Sequence, residues 1–373
     1  MSLCQGWGFP LSSLSDGVRR ATAKDVAKAA GVSRTSVSFA FNDPARLGDA
    51  TRQRILKAAE ELGYRPDPVA RMLVHGRTNS LGILLPQDIP QAMENPYYTQ
   101  FIIGVGQVCH QEGYTLLLVP PLRNSMLEAI PYAAVDGFIV SGLEKDRGEV
   151  AELERRGIPY VLVDSDGDHT SPSVEVDDTA GAAAMMTHLL DLGHRRIAIL
   201  AFESGPENAA GEYRGPLGRR VTGIDQALAA VGLSRDNDNV TLTEVPCTRA
   251  EGYKAGLELL RGTNRPTAVF ALSDILAAGV LDAAYELGVA VPAEVSVAGF
   301  DDQPEAMWVR PRLSTVRQPT EAKGRVAADF LVSTIHGNAR HPHQKLHTAV
   351  IVRESTAPPP RSAEPSPEAI AMA

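Results

Sequence analysis

Two sets of side chains in this sequence could do chemistry, and they are of different kinds. The first lies within residues 22–42, TAKDVAKAAGVSRTSVSFAFN. Arg34, Thr35 and Ser38 are polar, short or forked, and spaced to share the outer face of one short helix. Such groups hydrogen-bond to base edges and phosphates, and a forked guanidinium matches O6 and N7 of guanine. The second set stands where apolar runs end: Asp274 after TAVFAL (267–272) and Asp301 within VSVAGFDD (295–302). Carboxylates so placed would face a cleft, where they can hold the hydroxyl groups of a small molecule; Asp274 would also cap the helix that follows it, with or without a ligand contact. Tyr97, Tyr98 and Trp308 could stack on a sugar or a base, or pack in a core.

The first set needs two helices and a tight turn to position it. Thr22 can cap a helix, with Asp25 three residues on, a short-armed capping box. Val26, Ala27, Ala29 and Ala30 then fall on one face. Gly31 supplies the turn, because glycine enters the left-handed region without penalty. Ser33 can cap a second helix over 34–41, whose Val37 and Ala40 pack back on the first. Short helices joined this way, with hydrogen-bonding groups on the second, form a helix-turn-helix. Ile55, Ala58, Ala59 and Leu62 predict a third helix that starts at Asp49 or Thr51 and ends at Gly63. Pro66 and Pro68 then leave room for a helix of about one and a half turns over 69–74, too short to be stable alone in water. Its Met72 and Leu73 have no evident core to enter.

The second set needs sheets. From Ser80 the apolar runs SLGILLP (80–86), TLLLVP (115–120), VDGFIVSG (135–142), PYVLVDS (159–165) and SVEVDD (173–178) read as strands, with helices near 97–112 and 149–156. A second series places strands at 196–202, 240–245, 267–272 and 295–302, between helices at 180–192, 220–231, 249–260 and 274–287. Alternation of this kind predicts two doubly wound parallel-sheet α/β subdomains, with the ligand beyond the carboxyl ends of the strands. The expected division is a tail over 1–20, an all-α headpiece over 21–63, a hinge helix and linker over 64–79, a body over 80–356 and a disordered tail over 357–373. Within the body, 80–178 with 318–340 form one subdomain and 179–317 with 341–356 the other. HPHQKLH (341–347) reads as a loop leading to the last strand, and Asp302 as a structural partner or surface charge.

Charge is divided along the chain. The net charge is −9 over 373 residues, yet residues 1–80 hold 12 Lys and Arg against 7 Asp and Glu. A basic head on an acidic body suits contact with nucleic acid through the head only. Cys4, Cys109 and Cys247 have no metal spacing and read as reduced thiols. No apolar run is long enough to span a membrane, and the amino terminus lacks the pattern of a secretory signal, so the expected location is cytoplasmic. No G-x-S-x-G, phosphate loop, zinc spacing or nucleophile–base set occurs; the expectation is no enzyme, no catalytic residue, no metal and no cofactor. A transporter's solute-binding protein would explain the body but not the head.

The run from Thr22 to Leu73 resembles the lactose-repressor (LacI) family of bacterial transcription regulators. It carries D-V-A-x-x-A-G-V-S (25–33), V-S (37–38), Asn42, T-R (51–52), L-G-Y-x-P (62–66) and V-A-R-x-L (69–73). The likeness continues more loosely to Thr356 through L-G-H-R-R-I (192–197), S-D (273–274), G-F-D-D (299–302), P-x-L-S-T-V-R-Q (311–318) and V-R-E-S-T (352–356). The resemblance implies a periplasmic-binding-protein-like body whose chain crosses between lobes three times. It implies base reading by Arg34 and Thr35, and phosphate contacts from Thr22, Ser33, Ser38, Asn42 and Thr51. It also implies a hinge helix, with Ala70 and Leu73, that forms on operator DNA and wedges Leu73 into the minor groove. Phe39 stands where some members place an arginine, so the operator sequence is this protein's own; Phe39 could touch a thymine methyl or be buried. Arg220, in R-V-T-G, matches the family's effector-binding arginine, with Arg214 and Arg219 as rivals because the loop before it is long. The function so implied is a repressor acting as a homodimer on a pseudo-palindromic operator. Its effector would be a sugar or sugar derivative, or alternatively a nucleoside or purine acting as corepressor.

Overall fold

The structure, a computed structural model, describes residues 20–67, 72, 76–143, 147–166, 170–203, 213–235, 239–262, 265–338 and 342–360. One unit runs to Thr78 and a second begins at Asn79.

In the first unit, local chemistry sets the helix ends. Helix α1 (Ala23–Ala30) opens on a reciprocal capping box: the Thr22 N–H donates to Asp25 Oδ2 at 2.9 Å, and the Asp25 N–H donates to Thr22 Oγ1 at 3.4 Å. Gly31 takes φ 63° and turns the chain into α2 (Arg34–Asn42), which Ser33 caps by accepting the Ser36 N–H at 3.0 Å. Helix α3 (Asp49–Glu61) lies against both, and Arg54 Nε donates to the Ala30 carbonyl at 2.9 Å, satisfying one orphan acceptor at the end of α1. Val26, Ala27, Ala30, Val37, Ala40, Ile55, Ala58 and Ala59 form the buried seam. Leu62, expected in that seam, is 41% exposed. The helix has ended by then, and Gly63 at φ 62° turns the chain so that Tyr64 packs on the seam instead, edge-on to Phe41 at 5.8 Å.

The second unit is built on two sheets. The first contains β1 (Ser80–Leu84), β2 (Thr115–Val119), β3 (Gly137–Ser141), β4 (Tyr160–Val163), β5 (Ser173–Val176) and a late strand, β11 (His343–Leu346). The second contains β6 (Ile197–Phe202), β7 (Val240–Val245), β8 (Ala268–Ala271), β9 (Ser296–Asp301), β10 (Ser314–Arg317) and β12 (Ala349–Ile351). Their orders are β11-β5-β4-β3-β1-β2 and β12-β10-β9-β8-β6-β7; every pairing is parallel except β10 with β12. Both faces of each sheet are covered. Ile83, Ile139 and Val161 enter one cluster while Leu84, Phe138 and Val140 enter another, which is why these strands read as unbroken apolar runs.

The covering helices of the first lobe are α4 (Ile89–Glu94), α5 (Pro96–Glu112), α6 (Met126–Ala129), α7 (Gly148–Arg156) and, from late in the chain, α12 (Thr320–Ile335). Those of the second are α8 (Asp178–Asp191), α9 (Gly215–Ala230), α10 (Arg249–Leu260) and α11 (Asp274–Leu287). The chain passes between lobes at Asp177, at Gln318–Pro319 and at His347–Thr348. Helices α5 and α12 approach until backbones touch: a Cβ on Gly324 would fall 2.2 Å from the Phe101 carbonyl oxygen.

Two further expectations need correction. The 341–347 run is not simply a loop, since His343–Leu346 pairs with β5 and so belongs to the first sheet, dividing 341–356 between the lobes. The free edge of β5 supplies the hydrogen-bonding partners that this polar segment could not supply itself. Residues 357–360, assigned by composition to a disordered tail, begin with an anchored residue. The Ala357 carbonyl accepts from Ser296 Oγ at 2.9 Å, and its N–H donates back at 3.0 Å.

Candidate functional site

On the first unit the candidate surface is the outer face of α2. Arg34 and Thr35 occupy its first turn, both exposed, and neither side chain has a partner among the described residues. Ser38 is exposed and accepts from Asn42 Nδ2 at 3.2 Å. Thr22 and Ser33 are exposed caps, and Thr51 is half-buried in the first turn of α3. Phe39 does not enter the seam; Arg46 lies over its ring at 5.1 Å and pairs with Asp43 at 2.8 Å. Ala70 and Leu73 lie outside the described residues.

In the second unit the carboxyl ends of the two sheets meet through a continuous chain of buried polar groups. Asp301 ends β9 with φ 128°, a backbone region that non-glycine residues rarely enter. Its Oδ2 accepts from Ser273 Oγ at 3.0 Å, and its Oδ1 accepts from Gln318 Nε2 and lies 3.9 Å from Arg220 Nη2. Arg220 is 5% exposed; its Nε donates to Asp178 Oδ1 at 2.8 Å, its Nη1 to the Leu272 carbonyl at 2.6 Å, and its guanidinium lies 3.6 Å from the Phe300 ring centroid. Arg219 shares Asp178, pairs with Asp166 across the lobes and donates to the Asp164 carbonyl at 3.4 Å. Of the three rival arginines, Arg220 is therefore the one set against Asp301, while Arg214 is exposed at the start of α9.

Asp164 closes the chain on the first-lobe side. It follows β4 with φ 59°. Its Oδ2 accepts from Tyr97 OH at 2.9 Å and from Lys323 Nζ at 2.5 Å, and its Oδ1 has no partner among the described residues. Lys323 Nζ also donates to Gln318 Oε1 at 3.0 Å, so Asp164, Lys323, Gln318 and Asp301 form one line from lobe to lobe. Burial alone would raise the Asp164 carboxyl, but the ammonium of Lys323 holds it below the usual carboxylate range. Burial pushes Asp301 up, with Arg220 opposing.

Asp274 belongs to the same neighbourhood but is committed to the protein. It opens α11 as the first helical residue, not as its cap. Its Oδ1 accepts from Thr315 Oγ1 and its Oδ2 from the Gln303 N–H at 2.9 Å. Burial, together with the nearby Asp301 charge, raises it to about 8. Gly299 exists to make room: a Cβ there would fall 2.3 Å from Asp274 Oδ1. Asp302 is paired with Arg317 and Arg353, the structural role expected of it.

The aromatic candidates separate. Tyr97 stacks on Phe101 at 6.3 Å and carries Lys323 at 4.9 Å from its ring centroid. Tyr98 stands edge-on to Tyr97 at 5.4 Å. Trp308, 70% exposed on the turn after β9, lies outside the buried chain. Sequence reasoning passed over Asp164, Asp178, Gln318 and Lys323. Asp164 carries the same signal as Asp301, an acid ending an apolar run. Lys323 carries none, since a lysine on a helix reads as solvated. Among the described residues no cluster of His, Cys, Asp or Glu could hold a metal ion, and no helix is long and apolar enough to cross a membrane.

Comparison with known proteins finds relatives of both parts of the chain. Residues 22–67 match the family model of bacterial regulatory proteins, lacI family, and residues 186–356 match the periplasmic binding protein-like domain. The chain is 32% identical to the HTH-type transcriptional regulator CelR of Thermobifida fusca, over 90% of this chain and 98% of that one. It is 34% identical to the HTH-type transcriptional repressor PurR of Proteus mirabilis, over 91% and 98%. A solved CelR–cellobiose complex superposes with a TM-score of 0.65 at 31% identity, covering 90% of this chain and all (100%) of that chain. The lac repressor dimer bound to operator and the anti-inducer ONPF gives 0.76 over 91% of this chain and 100% of that chain, a likeness of fold at 24% identity. The chain belongs to the lacI family of bacterial regulatory proteins and is a transcriptional regulator with a helix-turn-helix DNA-binding headpiece and a periplasmic-binding-protein-like body.

Proposed function

We propose that this regulator is a cytoplasmic repressor that binds a pseudo-palindromic operator as a homodimer and is controlled by a neutral, hydroxyl-bearing effector, a sugar or sugar derivative. The α2 helices would enter successive major grooves, Arg34 and Thr35 reading bases and Thr22, Ser33, Ser38, Asn42 and Thr51 meeting phosphates. Ala70 and Leu73 would add the hinge contact that the family resemblance implies.

The observation that carries the effector class is Asp164 Oδ1, a buried acceptor with no partner among the described residues, on the line that joins the two lobes. It asks for a donor such as a hydroxyl. The three buried acids of the chain, Asp164, Asp178 and Asp301, are matched by Arg219, Arg220 and Lys323, so no surplus charge is left for an ionic ligand. The rings are also engaged: Tyr97 lies between Phe101 and Lys323, and Phe300 carries Arg220. That speaks against stacking a purine on them. The relative solved with cellobiose, and a LacI family regulator from Enterococcus faecium with bound ribose at 26% identity and a TM-score of 0.64, support a sugar.

An effector can shift operator affinity only through different affinities for two arrangements of the protein. The line through Asp164, Lys323, Gln318 and Asp301 is where lobe arrangement and ligand contacts coincide. Thermal-shift screening of the full chain against neutral sugars, nucleosides and purines is the first test; a sugar should raise the melting temperature. A purine alone raising it would replace the effector class. Selection from a duplex library should return a two-fold symmetric site, and flat affinity across sequences would remove the repressor reading. In Asp301→Ala the effector should no longer change operator affinity.

A further inference from the structure

Lys323 is a charged side chain where the fold has no ordinary use for one. It is 1% exposed, against the Asp164 carboxylate, whose second oxygen is buried with no hydrogen-bond partner among the described residues. Three things hold its ammonium: Asp164 Oδ2 at 2.5 Å, Gln318 Oε1 at 3.0 Å and the Tyr97 ring at 4.9 Å. Its helix cannot draw back to release it, because α12 touches α5 backbone to backbone at Gly104 and Gly324. Lys323 and Tyr97 both crowd onto Asp164 Oδ2, and that leaves Oδ1 as an acceptor without a partner among the described residues. The ammonium therefore neutralises the carboxylate through Oδ2 and leaves Oδ1 unbonded by it.

We propose that Lys323 is a specificity-determining residue of the effector site: it supplies the counter-charge of Asp164 internally, so that Oδ1 accepts a hydroxyl from an uncharged ligand and an ammonium group is rejected there. This rests on the reading of the cleft as a site for hydroxyl-bearing ligands. The physical reason is that a second cation beside Oδ1 would meet Lys323 across a single carboxylate, in surroundings that screen charge poorly. Without Lys323 the buried carboxylate would have no counter-ion, and a cationic ligand would provide it. The lysine acts on the other lobe as well. Because Gln318 Oε1 accepts from Lys323, its Nε2 is turned to donate to Asp301. Removing the ammonium frees that amide to flip.

The test is calorimetric titration at pH 7 of the full chain with matched probes: glucose and galactose, their 2-amino counterparts, and glucuronate and galacturonate. The wild type should prefer the neutral member of a series by about tenfold or more. Lys323→Met should reverse the order in favour of the amino sugar. Asp164→Asn, which leaves the lysine without its carboxylate, should shift preference toward the uronate, and the double variant should return to the neutral sugar. Asp164→Asn keeps the question decidable should Lys323→Met not fold. Unchanged preference in both single variants overturns the role of Lys323 and leaves the sugar site standing. A wild type that binds none of the probes overturns the site's ligand class itself.

Discussion

The headpiece and the body treat polar side chains in opposite ways. On α2 the groups that matter are exposed, and Arg34 and Thr35 bond to nothing in the described protein. In the body, Asp178, Arg220, Asp301 and Lys323 are buried, and each is held by two or more neighbours. A surface that reads a hydrated polyanion needs donors left free, because water already satisfies them and DNA can replace that water. A site that answers to a small molecule needs its groups held in place before the ligand arrives. The cost of error differs accordingly. A substitution on α2 should disturb recognition alone, while one in the buried chain should disturb folding and response together.

The largest effect should come from Asp178, which has no exposed surface and serves both Arg219 and Arg220. Asp178→Ala leaves two guanidinium groups without their shared carboxylate. The expected loss is about 3–5 kcal/mol of body stability, read by urea unfolding of the full chain. A loss below about 1 kcal/mol would mean that the arginines find other partners, and the contrast between the two regions would break.

Asp274 gives a pH-dependent version of the same contrast. In the folded protein its carboxyl is raised to about 8, whereas the unfolded chain releases that proton near 3.8, the ordinary value for aspartate. Between those values the folded state holds the extra proton, so its contribution favours folding at low pH and is lost as pH rises. The slope should approach about 1.4 kcal/mol per pH unit in that window. Asp274→Asn should flatten it, since an amide can still accept from the Gln303 N–H and donate to Thr315 Oγ1. An unchanged slope would place the proton elsewhere. Asp164 has the reverse sign: held low by Lys323, it contributes stability that is lost as the solution becomes acid.

The same division explains what could be read from the residues. The headpiece was legible because its contacts are local: Thr22 with Asp25, Ser33 with Ser36, Ser38 with Asn42. The parallel strands were legible because burial on both faces demands unbroken apolar runs. Apart from Leu62, which a local helix end turns outward, the failures are non-local. His343–Leu346 has no strand pattern of its own and becomes a strand only against β5, about 170 residues earlier. Lys323 finds its carboxylate 159 residues away, a pairing that no spacing reveals. Asp301 was found because it ends a strand. Asp274 was found by the same rule, yet the structure spends both its oxygens on Thr315 and Gln303.

On the headpiece, Arg34→Ala should cost about 1–3 kcal/mol of operator binding, with discrimination lost at one base position. Because the side chain is exposed and unpaired, thermal unfolding should move by no more than about 0.5 kcal/mol. A comparable loss on operator and random duplex would make Arg34 a phosphate contact instead.

The smallest effect sharpens the contrast most, because Ser33 has both a folding role and a proposed reading role. Its hydroxyl accepts the Ser36 N–H at 3.0 Å, and the same oxygen is offered as a phosphate contact. Ser33→Ala should lose the cap, at about 1 kcal/mol of headpiece stability, and weaken DNA binding by either route. Ser33→Asp separates them. Aspartate caps as well as serine does, so stability should stay within a few tenths of a kcal/mol of wild type, while a carboxylate facing a phosphate should weaken operator binding. If Ser33→Asp binds operator like the wild type, the hydroxyl serves the helix alone. The reading surface would then begin at Arg34, one residue further into the helix.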